Sequence, residues 1–327
     1  GYYESVANSL PDVDLTNLYM ISGSNEPLHQ SPEALAVSRN VNSKLHFAEH
    51  APHAGLPVPR TEVYAKRAIR EGEADRMFSG LPNGVMVKLL GLAGSRNVFA
   101  VDSVDDCLDQ MAEYDDEVQI LLQEKLDISQ WREMTVDLTI TPQEVSISNV
   151  RQILFAGGKW VGNYISPELE VPEAHKAVLM QVGAYAHDHG HVAVEGINCG
   201  IDYFVSGDEV IVTEINARWT GGLFPAEFLR RLAITQPAVA FFDMVPVAQS
   251  EAVQTFQREH LFPAAGDAFA YVPMGFTPFA MEIEGAERYF VWQIVVGDFA
   301  AFVEAKRKAL TEDAFPTADL ILQEALS

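Results

Sequence analysis

The chain has 327 residues, of which 48% are hydrophobic and 21% charged, a balance that describes a soluble globular protein and excludes a disordered one. Lys and Arg together number 22 against 46 Asp and Glu, a formal net charge of -24, which repels nucleic acid and anionic membrane surfaces and argues against both as partners. An anionic small substrate would need a local cluster of cations or a metal working against that field.

Only Cys107 and Cys199 occur, and they form no CxxC pair, so neither a disulfide framework nor a zinc ribbon is available and a reducing, cytoplasmic setting is expected. No apolar stretch reaches the length of a transmembrane helix, and no basic region leads into an apolar core at the start. Residues 1–30 are mixed and turn-rich, too little for a domain, and read as the tail of something larger or as an edge element. Asn42 or Ser43 can cap a helix through KLHFAEHAPHAG, with Gly55 as its stop and Pro57 and Pro59 beyond. Lys44 falls in its first turn, where it is either solvated or turned to an anion.

A strand at 61–65, a charged helical stretch to about Phe78 and a Pro-Asn-Gly turn at 82–84 lead to a strand at 85–90 that carries Lys88. In the GLAGSRNV that follows, Gly91, Gly94 and Ser95 can bring backbone N–H groups close to an anion, although glycine loops also join strands without binding anything. The acid-rich segment 102–117 reads as a helix with a solvated face. A strand at 118–123 runs into Glu124, Lys125 and Leu126, and strand character resumes at 131–140 with Glu133 before MTVDLTI, a crossing between lobes. Two strands, 144–149 and 150–155, follow; Arg151 among their apolar residues is either structurally paired or aimed at an anion. A helix runs from Glu173 to about His189 and stops at Gly190, and His187, His189 and His191 read as its frayed end in preference to a metal site, because their spacing does not share a helix face.

Residues 195–222, EGINCGIDYFVSGDEVIVTEINARWTGG, are the densest stretch. Period-two alternation gives strands at 200–205 and 210–215 around a Ser-Gly-Asp turn. Asp202 stands in the first strand, while Glu214 and Asn216 lie two apart in the second and share a face. Three oxygen-bearing side chains in apolar company suit a hard cation such as Mg2+; the competing reading is a hairpin end with solvated acids. A helix is expected over 224–232, with another at 238–244, and the last third reads as sheet and covering helix without a catalytic motif.

Taken in order, these motifs resemble the ATP-grasp superfamily over roughly residues 38–222, most closely in GIDYFVSGDEVIVTEINARWTGG. The resemblance implies an α+β fold of two lobes gripping ATP: residues 1–50 a remnant of a preceding, incomplete α/β domain, 51–126 the small lobe with the phosphate loop, and 127–327 the large lobe with the metal and substrate site. It also implies that Lys44 and Lys88 reach the ATP phosphates beneath a loop of Gly91, Gly94 and Ser95. Glu124, Lys125 and Leu126 would address the adenine, and Glu133 the ribose. Asp202, Glu214 and Asn216 would hold Mg2+, with Mn2+ a second candidate, while Arg218 and Arg151 face the transferred phosphoryl group or the substrate carboxylate. The chain departs from the family in the shortness of what precedes the first motif and in Leu89 and Leu90 after Lys88. The segments VNSK and NARWTGG are similar to ATP-grasp ligases of peptide natural-product pathways. The expected reaction joins a small-molecule carboxylate, an amino acid or peptide, to an amine through an acyl phosphate. The alternatives are a thiol acceptor on a carrier protein and a non-catalytic nucleotide-binding module. Homo-oligomer formation is left open.

Overall fold

The computed structural model describes residues 36–37, 40–89, 98–263, 268–276, 280–283, 285–311 and 314–326. Gly91, Gly94 and Ser95, expected as the phosphate loop, and the segment before residue 36 lie outside them. The chain divides into two compact units, Gly1–Asn149 with Val171–Thr220, and Val150–Glu170 with Gly221–Ser327.

The first unit begins with α1 (Lys44–His50), whose Ser43 cap accepts a hydrogen bond from the His46 N–H at 3.2 Å. An antiparallel sheet in the order β1-β4-β2-β3 follows, built from β1 (Thr61–Ala65), β2 (Val85–Leu89), β3 (Val98–Val101) and β4 (Gln119–Glu124). Helices α2 (Lys66–Arg70), α3 (Asp75–Gly80) and α4 (Val104–Gln110) connect the strands. Alternation decides what each face of this sheet meets. Val85, Val87, Leu89, Ile120 and Leu122 enter a core with Ile69, Met77 and Cys107, which leaves Lys88, paired with Leu121, on the opposite face. Helix α4 is shorter than its acid-rich sequence suggests. The buried Lys66 ammonium takes the carbonyl of Tyr114 at 2.7 Å and fixes an irregular turn where the helical pattern would have continued.

The same unit holds β5 (Arg132–Ile140), the start of β6 (Val145–Ala156), β8 (Ile197–Ser206) and β9 (Glu209–Asn216), in the order β6-β5-β8-β9. Segments 144–149 and 150–155, expected as two strands, form the single twelve-residue β6, because no Gly, Pro or Asx turn interrupts Asn149-Val150. Helix α5 (Glu173–Asp188) packs across β5, β8 and β9. At Gly183 a Cβ would come within 2.4 Å of Val145 Cγ1, so only glycine lets the helix approach this closely. At its end His189 and His191 are engaged by the carbonyls of Tyr185 and Asn198, at 2.7 and 2.9 Å.

The second unit contains the end of β6 with β7 (Lys159–Ile165), β10 (Ala238–Pro246), β11 (Phe269–Phe276), β12 (Met281–Ile283) and β13 (Ala286–Gly297), in the order β11-β13-β10-β7-β6 with β12 on β13. Phe241, Tyr271, Phe302 and Phe315 anchor its core, covered by α7 (Ser250–Glu259), α8 (Phe299–Ala309) and α9 (Pro316–Glu324); α6 (Leu223–Arg231) adds Leu229 to a smaller cluster. Residues 238–244, expected as a helix, are the strand β10. The run AVAF at its start is buried on both faces, which erases the alternation that distinguishes strand from helix. Among the described residues no helix is long and apolar enough to cross a membrane.

Candidate active site

The face of β5, β8 and β9 turned away from α5 carries the polar residues. Register pairs Thr135 with Asp202 and Asp137 with Gly200 across β5 and β8, so Glu133, Thr135 and Asp137 share a face with Asp202. Across β8 and β9, Asp202 pairs with Glu214 and Gly200 with Asn216. The register shifts between Asp202 and Tyr203, leaving Thr213 as an extra residue on β9, its hydroxyl donating to the Asp202 carbonyl at 3.1 Å. Such a bulge re-aims the side chains beside it. It keeps Val212 and Ile215 in the core while Glu214 and Asn216 stay on the polar face.

Two lysines meet these acids. Lys44 forms an ion pair with Glu214, their side chains 16% and 22% exposed. Lys88 is 8% exposed. Burial, reinforced by the charge of Lys44, pushes its ammonium down to about 8 against the pull of Glu214, Glu133 and Asp202. Glu133 moves the other way: burial, then the Asp202 charge, pushes its carboxyl up to about 8, with Lys88 opposing. Burial also works to raise Glu214, but Lys44, Lys88 and Arg218 outweigh it and hold the group below the usual carboxylate range. A cleft bounded by Lys44, Phe47, Thr61, Lys88, Leu121, Gln123 and Val212 opens beside these charges.

Among the described residues no group of three or more His, Cys, Asp and Glu is drawn together to hold a metal ion. The donor chemistry on the polar face nonetheless suits Mg2+. Asp202 and Glu214 carry carboxylate oxygens and Asn216 an amide, all hard donors. In this structure the Asn216 amide donates to Asp202 Oδ2 at 2.9 Å, and the Lys44 ammonium stands at Glu214.

Arg218 is fixed from several sides. Its N–H donates to the Asn216 carbonyl at 2.7 Å, its Nη1 to Asn42 Oδ1 at 2.7 Å, and its carbonyl accepts from Asn198 Nδ2 at 2.8 Å. Asn198 also donates to Asp137 at 2.8 Å. Lys44, Lys88, Glu133, Asp202, Glu214, Asn216 and Arg218 thus belong to one constellation in the first unit. Glu124, Lys125 and Leu126 form the exit from β4, where the Glu124 N–H binds the Arg60 carbonyl at 2.8 Å and the Lys125 N–H that of Gly84 at 3.4 Å. Arg151 lies in the second unit, fully buried. There a Cβ on Gly222 would fall 2.9 Å from its Nε and 2.3 Å from Asn163 Oδ1, so the loop backbone sits directly on this arginine.

Sequence reasoning missed Asn42, Asp137, Asn198 and the cleft residues Thr61 and Gln123, which are hydrogen-bonded to each other at 3.0 Å. The polar alternation Glu133-Thr135-Asp137 was a readable signal for Asp137, and the parity of β4 for Gln123. Asn42 and Asn198 left no such mark.

No protein-family model matches the chain, and no curated protein matches it in sequence. Solved structures do. A carboxyaminoimidazole ribonucleotide synthase from Aspergillus clavatus, complexed with ATP, superposes with a TM-score of 0.57 at 16% identity, over 89% of this chain and 75% of that one. The phosphoribosylamine–glycine ligase of Thermotoga maritima gives 0.51 at 14%, covering 88% and 77%. The biotin carboxylase domain of a 2-oxoglutarate carboxylase from Hydrogenobacter thermophilus, crystallised with MgADP, ADP and bicarbonate, gives 0.55 at 10%, covering 83% and 65%. The chain has the α+β ATP-grasp fold.

Proposed function

We propose that the chain is an ATP- and Mg2+-dependent ligase that activates a carboxylate as an acyl phosphate and joins it to an amine, releasing ADP and phosphate. One observation carries the reading: two lysines, one from α1 and one from β2, converge on a strand face bearing Glu133, Asp202, Glu214 and Asn216. Residues 51–126 act as the small lobe and 127–327 as the large one. Lys88, on the face of β2 opposite its apolar core, and Lys44 bind the phosphates. Glu124, Lys125 and Leu126 take the adenine, Glu133 the ribose hydroxyls, and Gly91, Gly94 and Ser95 cover the phosphates. Asp202, Glu214 and Asn216 hold Mg2+, which when bound draws charge from the phosphate oxygens.

Phosphoryl transfer to a carboxylate brings anions together, so the work of these residues is positioning and neutralisation. The carboxylate oxygen attacks the terminal phosphorus as the bond to ADP breaks, with Arg218 and Arg151 neutralising the incoming groups. The amine nitrogen then attacks the acyl carbon, loses a proton, and phosphate leaves. Excluding water protects the acyl phosphate from hydrolysis. The likeness of VNSK and NARWTGG to peptide ligases supports an amino acid or peptide as the carboxylate, and the buried thiols Cys107 and Cys199 suit a cytoplasmic setting. A screen for ADP release over pairs of amino acids and short peptides tests the reading: release should require both carboxylate and amine. Release of AMP and pyrophosphate, or loading of a carrier thiol in place of the amine, would overturn it.

A further inference from the structure

The polar contacts of Asn42 reach furthest from any part the chain's ATP-site motifs assign. It precedes the Ser43 cap of α1 and stands two residues before Lys44, yet its side chain reaches the two residues that follow β9. Nδ2 donates to the Ala217 carbonyl at 3.0 Å, and Oδ1 accepts from Arg218 Nη1 at 2.7 Å across 176 residues of sequence. A carboxamide is the group this geometry needs. It offers a donor and an acceptor in one plane, one for a carbonyl and one for a guanidinium. Aspartate would lose the donor and set a charge against the Ala217 carbonyl, and alanine would lose both bonds. A hydrogen bond to a terminal nitrogen restrains the orientation of a guanidinium.

We propose that Asn42 is a positioning residue for Arg218. It locks the arginine's plane to the segment that carries Lys44, so that lysine and arginine address the terminal phosphate of one bound nucleotide in a fixed register. The inference rests on the ATP-site reading above and adds to it the residue that orients its arginine. The Asn198 bond to the Arg218 carbonyl holds the backbone at the same point, while Asn42 acts on the side chain.

The test compares the full chain with its Asn42→Ala, Asn42→Asp, Arg218→Ala and Asn42→Ala/Arg218→Ala variants. Each is titrated calorimetrically with MgADP and with the magnesium complex of the imido analogue of ATP, and its melting temperature is recorded. The native chain should bind the imido analogue more tightly than MgADP. Asn42→Ala should cut that preference about tenfold, the size of one charge-assisted hydrogen bond, with MgADP affinity unchanged; Arg218→Ala should abolish it, and the double variant should add nothing. Asn42→Asp, which preserves volume, should also lose the preference. A merely structural role would weaken both nucleotides together with the melting temperature, and that result overturns the inference. So does an Asn42→Ala chain that retains the preference while Arg218→Ala loses it, or an Arg218→Ala chain that keeps it. If the native chain binds neither nucleotide, the ATP-site reading itself falls and takes this inference with it.

Discussion

Replacing Lys88 by methionine keeps the length of the side chain and removes its charge. The ammonium is 8% exposed, and burial together with Lys44 lowers it from 10.5 to about 8, after the attraction of Glu214, Glu133 and Asp202 has been counted. At 1.36 kcal/mol per unit of pKa, the folded chain disfavours the charged form by about 3 kcal/mol. An unfolded lysine holds its proton to higher pH than the folded one. The whole cost is therefore present below pH 8 and disappears as pH rises from about 8 to about 10.5. In metal-free, nucleotide-free buffer at pH 7, Lys88→Met should stabilise the chain by up to about 3 kcal/mol, raising the melting temperature by several degrees, and the rise in stability between pH 8 and 10 should vanish. The same variant should weaken MgATP binding by about 10- to 100-fold, the worth of one charge-assisted contact to phosphate. Scanning fluorimetry at pH 7 and pH 10, with calorimetric titration of MgATP, reads both effects. A lower melting temperature at pH 7, or unchanged nucleotide affinity, would refute the reasoning.

Glu214→Gln retains the volume of the side chain but removes the charge that pairs with Lys44 and that is proposed to hold Mg2+. ADP release should then need about tenfold more Mg2+ or greater, and an unchanged Mg2+ titration would contradict the assignment. In the second unit Asp243 accepts N–H groups of Met244, Thr317 and Ala318, yet burial lifts its carboxyl to about 7. The folded chain thus keeps a proton that the unfolded chain releases near pH 4. Stability from this group should fall as pH rises from about 4 to about 7, by about 4 kcal/mol in all, and stay level above. Asp243→Asn should remove that fall, so melting curves of the two chains should converge toward pH 4 and separate by pH 7; parallel curves would contradict it.

The sequence carried the local geometry of the site well. Ser206, Gly207 and Asp208 marked the hairpin, and a period of two put Glu214 and Asn216 on one face, as the register confirms. Lys88 stood out as a lysine in an apolar strand. What sequence could not show were features decided by tertiary contact. The bulge at Thr213 depends on how β9 must keep Val212 and Ile215 in the core, which alternation alone does not reveal. The pairing of Asn42 with Arg218 joins residues 176 apart, and nothing local to either announces it. Residues 238–244 misled because a strand buried on both faces has lost the signal that separates it from a buried helix.

The central claim is that a carboxylate is activated by phosphoryl transfer from ATP. With the accepted carboxylate labelled with oxygen-18 and its amine partner present, the account predicts that ADP forms and that each released phosphate carries one labelled oxygen, delivered when the acyl phosphate is opened by the amine. Unlabelled phosphate accompanying amide formation, or label recovered in AMP, would contradict it.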